Sequence, residues 1–384
     1  MTDLPSKALL PEGLADLLPP EAAHEASVVE RLMARFGTHG YERVKPPLIE
    51  FEETLLSGAG AAVATQSFRL MDPVSRRMLA VRPDITLQVA RIATTRLSRA
   101  PRPLRLAYAG QVLRVSGSML RPQRQFGQVG VELIGSLAPT ADAEAILLAH
   151  EALAGVGARG PSVDLCVPTL VPAICRSLSL DAQAATRLRA ALDRKDAAAV
   201  AAVGGAAARL AADLMAASGA AERAVAALAA LDLPPEAAVD RARLTEVVRL
   251  VRAAAPDLQI TVDAVEHRGF EYQTGVSFTL FARDERDAVV QIGSGGRYRA
   301  GTDAGGEPAT GFTLYTDTLL AAVPAAGRPD RLYLPHGTDA ATAARMRAAG
   351  WSAVAGLEPA ADPAAEAARI GCTHVLSGGA AVPV

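Results

Sequence analysis

Arg121-Pro122-Gln123-Arg124-Gln125-Phe126-Gly127-Gln128-Val129-Gly130-Val131-Glu132-Leu133-Ile134-Gly135 carries a clear strand pattern and, within it, one acid. Its second half is a short apolar run bounded by glycine, the pattern of a strand. Glu132 sits between Val131 and Leu133, so the two-residue period of a strand puts it on the face opposite both. Whether that face is a pocket or solvent stays open at this stage. Around it, residues 105–135 and 68–81 hold short apolar runs separated by Asp-Pro, Ser-Gly and Gly, and read as strands of an antiparallel sheet. Residues 87–97 read as a helix between them. Upstream, Val28, Val29, Leu32, Met33 and Phe36 recur at helical spacing over residues 21–36, and residues 37–40, Gly at both ends, stop that helix. Residues 41–50 carry Pro46 and Pro47, whose fixed φ and missing donor suit an edge strand or a bulge.

Downstream, residues 180–255 are rich in Ala, Leu, Arg, Asp and Glu with breaks at Gly204-Gly205 and Pro234-Pro235, the composition of several short packed helices forming an insertion or subdomain. Strand signals return at 258–265, 275–282 and 288–292. Gly293-Ser294-Gly295-Gly296 then reads as a tight hairpin turn; lacking Lys-Ser or Lys-Thr and a following helix, it does not read as a phosphate cradle. Residues 311–323 read as a strand running into a helix that closes the sheet. Beyond residues 324–327, Leu332-Tyr333-Leu334, a helix over about 339–349, Ala353-Val354-Ala355 and Val375-Leu376 describe a small α/β lobe. The expectation is an α+β chain: a core over 1–323 with a helical insertion at about 180–255, then a small domain over 324–384.

Lys and Arg number 39 against 41 Asp and Glu, a formal charge of −2, so no overall positive field attracts a polyanion and tRNA is not an expected partner. Cys166, Cys175 and Cys372 show neither Cys-x-x-Cys spacing nor clustered histidines, and His24, His39, His150, His336 and His374 have no ligand partner in the pattern. No metal, no cofactor and no disulfide framework is expected. The opening residues lack a cationic segment followed by an apolar run, and no stretch reaches about 18 uninterrupted apolar residues, so the expectation is a cytoplasmic protein with no membrane association.

Four segments, in order, resemble the histidyl-tRNA synthetase branch of the class II aminoacyl-tRNA synthetases. Pro11-Glu12-Gly13, with Asp16 and Pro19, is similar to the family's opening, and residues 40–50 to its dimer-forming motif 1. Residues 68–91, with Asp72 and Val81-Arg82-Pro83-Asp84-Ile85-Thr86, resemble the segment that holds the amino-acid ammonium group. Leu113-Arg114 and residues 121–135 resemble motif 2 and its following strand. Arg268-Gly269-Phe270-Glu271-Tyr272-Gln273-Thr274-Gly275 resembles the signature of histidine-specific members, and Gly295-Gly296-Arg297-Tyr298 its companion turn.

The resemblance implies a class II synthetase-like antiparallel sheet, a homodimer and a histidine site. Asp84, Thr86 and Gln128 stand where acceptors for the ammonium are needed, and Arg114 and Arg268 offer guanidinium forks for the carboxylate. Glu132 with Tyr272 or Gln273 can pair the donor and the acceptor of a neutral imidazole. The ATP side departs from the family. Arg114-Val115-Ser116 replaces Arg-x-Glu, and Thr318 stands where the phosphate-clamping arginine of motif 3 belongs. Loss of one such charge partner removes about 2.7–4 kcal/mol of transition-state stabilisation, so adenylate formation is expected to be crippled. The C-terminal lobe resembles an abbreviated anticodon-binding domain. This combination resembles the regulatory-subunit family of the short-form ATP phosphoribosyltransferases, which implies a non-catalytic chain, a separate catalytic partner subunit within a larger hetero-oligomer, and L-histidine as the effector of feedback inhibition. The competing readings are an active histidyl-tRNA synthetase and an aminoacyl transferase to another carrier; the second keeps the ATP arginine in related chains, which argues against it.

Overall fold

The structure, a computed structural model, describes residues 9–384 apart from 57, 118–120, 267–271, 302–305, 326 and 328. It divides into two compact units, Met1–Pro324 and Ala325–Val384.

In the first unit α1 (Glu21–Thr38) buries Val28, Leu32, Met33 and Phe36, and Gly40, at φ +78°, turns the chain away from it. β1 (Glu42–Arg43), β2 (Ile49–Phe51), α2 (Glu52–Leu55), β3 (Arg69–Met71), β4 (Met78–Val81) and α3 (Thr86–Thr95) follow. β2, β4 and β3 form a separate antiparallel sheet, so residues 68–81 are strands, as read, but not strands of the main sheet. The Asp72 carboxylate closes the β3–β4 turn by accepting from the Val74 and Ser75 amides.

The main sheet is built from β5 (Leu104–Leu113) and β6 (Gln125–Ile134), then, after α4 (Pro139–Val156), β7 (Ser162–Cys166) and α5 (Leu170–Ser177). Four helices, α6 (Ala182–Asp193), α7 (Ala197–Val203), α8 (Gly205–Ala217) and α9 (Ala221–Ala229), lead into α10 (Pro235–Ala254), with the short β8 (Gly219–Ala220) between α8 and α9. β9 (Gln259–Asp263), β10 (Gln273–Arg283), β11 (Val289–Ala300), β12 (Glu307–Tyr315) and α11 (Thr316–Ala322) complete the unit. The order across the sheet is β1-β5-β6-β12-β11-β10-β7-β9-β8, parallel at β1–β5 and β7–β9 and antiparallel elsewhere. β12 thus closes the sheet in sequence yet lies in its interior, between β6 and β11.

The inserted helices begin where side chains can cap them: Asp181 accepts from the Ala184 amide and Asp196 from the Ala199 amide. They do not form a core of their own. Leu188, Leu192, Val200, Leu214, Leu228, Leu244 and Val251 join α1, α4 and one sheet face in a single cluster, because small alanine side chains bury too little area to close a separate one.

One sequence expectation is corrected. Gly293, Ser294, Gly295 and Gly296 are not a hairpin turn; they lie inside β11, paired to β12 from Gly293–Leu314 through Gly296–Gly311. The turn is earlier, where the Asp284 carboxylate accepts from the Arg286 and Ala288 amides. Glycine is required in the strand because a Cβ at Gly295 would run into the Gly311 carbonyl and the Phe278 ring, and Gly296 stands at φ +147° against Ser277.

The two sheet faces differ. Val129 and Val131 of β6 point into the large helical core, whereas Phe126 and Ile134 join Ile85, Val89, Tyr108, Tyr298 and Tyr315 on the α3 side. Two-residue alternation therefore assigns Glu132 to the α3 side.

The second unit holds β13 (Arg331–Leu334), α12 (Ala340–Ala348), β14 (Ser352–Ala355), α13 (Pro363–Arg369), β15 (His374–Ser377) and β16 (Ala380–Pro383), in sheet order β14-β13-β15-β16. Leu332, Leu334, Ala343 and Met346 pack on one face, and Tyr333, Ala367, Cys372 and Val375 on the other. The sequence reading had passed over α13 and β16.

Candidate functional site

Between β4 and α3 the chain makes a turn that the rest of the site is built upon. Arg82, buried, donates from Nε to the Gln111 carbonyl at 2.8 Å and from Nη1 to the Pro46 carbonyl at 3.1 Å, which pins the turn to β5 and to the segment before β2. Asp84 then holds the start of α3: its Oδ1 accepts from the Thr86 amide at 2.8 Å, and its Oδ2 accepts from Gln128 Nε2 at 2.8 Å. Gln128, fully buried, uses its own Oε1 to accept from the Ile85 amide at 2.9 Å. Both ends of its amide are thus engaged in fixing the turn.

Glu132 lies four residues along β6, opposite Gly311 of β12. Tyr298 donates to its Oε2 at 2.9 Å and Tyr108 to its Oε1 at 3.3 Å. The Tyr108 hydroxyl also contacts Thr313 Oγ1 at 2.6 Å and Thr86 Oγ1 at 3.1 Å. Burial, with the Asp84 carboxylate adding to it, pushes the Glu132 carboxyl up to about 8, against the partial relief of its hydroxyl donors. The group therefore holds its proton at neutral pH. Gly311 is what admits it, since a Cβ there would collide with Glu132 Oε2 and the Val131 carbonyl.

Over these groups opens a cleft lined by Asp84, Thr86, Glu132, Tyr272 and Gln273, by 294–296 and Tyr298 of β11, and by 311–313 and Tyr315 of β12. Five of the eight residues singled out in the sequence thus share one cavity. Gln128 is behind it, holding Asp84 in place. Arg114 lies near the cavity, donating from Nε to the Pro83 carbonyl at 3.3 Å with its guanidinium 5.1 Å over the Phe126 ring. Arg268 lies outside the described residues. The Tyr272 ring meets Tyr298 edge to face at 6.1 Å, and burial raises its hydroxyl well above the ordinary tyrosine range. The Gln273 Oε1 atom is buried and accepts no hydrogen bond.

Tyr108, Ser294, Tyr298, Thr313 and Tyr315 were missed by sequence reasoning. Tyr108 and Thr313 both pair with Gly130, so once the strand order is known, alternation places them beside Glu132. Tyr298 was concealed by the reading of residues 293–296 as a turn. Among the described residues no cluster of His, Cys, Asp and Glu is arranged to hold a metal ion, and the three cysteines are buried free thiols. No described helix is long and apolar enough to cross a membrane.

Residues 13–319 match the family described as Histidyl-tRNA synthetase. The ATP phosphoribosyltransferase regulatory subunit of Rhodospirillum centenum is 64% identical over 375 residues, covering 98% of this chain and 96% of the relative. That of Paramagnetospirillum magneticum is 57% identical, covering 98% of each. Among solved structures, an ATP phosphoribosyltransferase regulatory subunit/histidyl-tRNA synthetase from Bacillus halodurans C superposes with a TM-score of 0.81 at 25% identity, over 96% of this chain and 97% of the other. Histidyl-tRNA synthetase from Nostoc sp. PCC 7120, at 18% identity and a TM-score of 0.79 over 96% and 91% of the two chains, shares the fold. The mixed α+β core thus has the class II architecture of the histidyl-tRNA synthetases. Within that architecture, this chain belongs to the family of ATP phosphoribosyltransferase regulatory subunits, which are non-catalytic.

Proposed function

We propose that the cleft binds free L-histidine, and that the chain couples its occupancy to a separate short-form catalytic subunit, activating that subunit and conveying feedback inhibition in the first step of histidine biosynthesis. The observation that carries this is a pair of complementary groups lining the cleft: a carboxyl that keeps its proton at neutral pH and a buried amide oxygen with no partner. A neutral imidazole presents one acceptor and one donor. Glu132 donates to the first and Gln273 Oε1 accepts from the second. Either group left unpaired in a buried site costs about 1–3 kcal/mol, so an apolar side chain of similar size is rejected. At the other end the ammonium fits between Asp84 and Thr86, and the resemblance puts Arg268 and Arg114 on the carboxylate.

Proton bookkeeping makes the reading testable. Free histidine titrates near 6.5 and Glu132 at about 8, and the complex shares a single proton between imidazole and carboxyl. Affinity is therefore highest between those two values and falls on both sides, below because imidazole must shed a proton and above because Glu132 must regain one. Calorimetry on the complex with its catalytic subunit, across pH 5.5 to 9, tests this. Gln273→Ala is expected to weaken histidine by about tenfold or more and to relieve inhibition in parallel. Absence of histidine-dependent heat in the unaltered complex, or undiminished inhibition of a Gln273→Ala complex, would falsify the assignment. Histidine-dependent ATP–pyrophosphate exchange at an ordinary synthetase rate would replace it with an enzyme.

The homodimer within the hetero-oligomer is supported by Leu48 and Ile49, exposed in the segment that resembles motif 1, and by Met71 and Met78, exposed and paired on the sheet that β2 joins. The relatives are subunits of a biosynthetic enzyme, which supports a cytoplasmic assembly.

A further inference from the structure

We infer that Tyr315, braced from outside by Arg121 and Asp317, is the end wall of the cleft and restricts it to the free amino acid, rejecting histidine derivatives extended at the carboxyl. This rests on the histidine reading and identifies what sets the length of the site. The register orients the cleft. Glu132 pairs with Gly311, whereas Gln128, which holds Asp84, pairs with Tyr315, so Tyr315 stands toward the Asp84 end of the cleft, four residues along β12 from the imidazole end. Tyr315 is the last β12 residue on the cleft, and α11 begins at the next position. Beyond the α-carbon end, therefore, a ligand meets the Tyr315 ring.

That ring is held on three sides. Its hydroxyl contacts Ser294 Oγ at 2.8 Å, Phe126 meets it edge to face at 6.0 Å, and the Arg121 guanidinium lies 3.7 Å from its centroid. Arg121 is itself fixed by Asp317 at 3.2 Å, with both side chains largely withdrawn from solvent. A cation over an aromatic face gains most when desolvated, so the stack stiffens the ring where a flexible side chain would yield to a longer ligand. The carboxylate of free histidine fits inside the wall. A substituent on that carboxyl has to displace Tyr315 and break the Arg121 stack.

The test compares L-histidinamide with its N-benzyl derivative, two ligands that both lack the carboxylate charge and differ in length. Calorimetry uses the full chain with its catalytic subunit, unaltered and as Arg121→Ala, Asp317→Asn and Tyr315→Leu. The unaltered complex is expected to prefer the short amide by about tenfold or more, and the variants by about threefold or less, as expected for a cavity that rejects by shape. In Arg121→Ala and Asp317→Asn, which alter no residue lining the cleft, histidine affinity should change far less than this ratio. Equal binding of the two amides to the unaltered complex, or an unchanged ratio in Arg121→Ala and Asp317→Asn, overturns the wall. Failure of the unaltered complex to bind histidine at all defeats the underlying histidine reading instead, so the two failures are distinguishable.

Discussion

Glu132 is a carboxyl group in a place where an ionised one is badly solvated, and its neighbours are chosen to keep it there. Its titration, raised from 4.5 to about 8 chiefly by burial, has a consequence for stability. The folded state holds the proton more tightly than the unfolded chain, so the group burdens the fold least below about 4.5, and stability falls as pH rises toward 8. Glu132→Gln keeps the shape and removes the titration. The variant is expected to gain on the unaltered protein by a few kcal/mol between pH 5 and pH 9 while losing histidine binding; urea midpoints at the two pH values check it. An unchanged difference between the two proteins across that interval would contradict the buried, protonated state. Glu132 was visible in the sequence as a polar residue within an apolar strand, but alternation gives only a face. That the face is a cleft follows from Tyr108, Tyr298 and Thr313, which arrive from three other strands.

At the scale of elements, β11 carries the lesson of the misread segment. Four small residues in a row have the local chemistry of a turn, and nothing within them says that two neighbouring strands press close enough to exclude a Cβ. Helices were easier to read, because α1, α3 and α12 announce themselves through apolar spacing or capping within their own residues. The joint between elements that matters most is Asp142 of α4. It is buried, pairs with Arg297 of β11 at 2.8 Å and with Arg243 of α10 at 2.9 Å, and so ties the strand that lines the cleft to two helices behind the sheet. Asp142→Ala strands the buried Arg297 without its counter-charge and is expected to destabilise the fold by about 3–5 kcal/mol. Chemical denaturation measures this, and a loss below about 1 kcal/mol would show that the pair is not what joins these elements.

At the scale of the whole molecule the two units have separate cores, and every described residue of the cleft belongs to the first. A chain ending at Pro324 is accordingly expected to fold and to bind histidine with affinity within about threefold of the full chain, a change of less than 1 kcal/mol. Loss of histidine binding by a folded fragment would assign the second unit a part in the site. The sequence by itself determined the class of fold, the order of the segments and the identity of five cleft residues, because ordered motifs and strand alternation are local properties of the chain. Only the tertiary structure decided that Glu132 faces a cavity and stays protonated, that Gln128 positions the turn and does not line the cleft, and that β11 is a strand throughout. Each of those depends on which atoms from distant segments crowd or desolvate a group, and that is set by the packing of strands far apart in the chain.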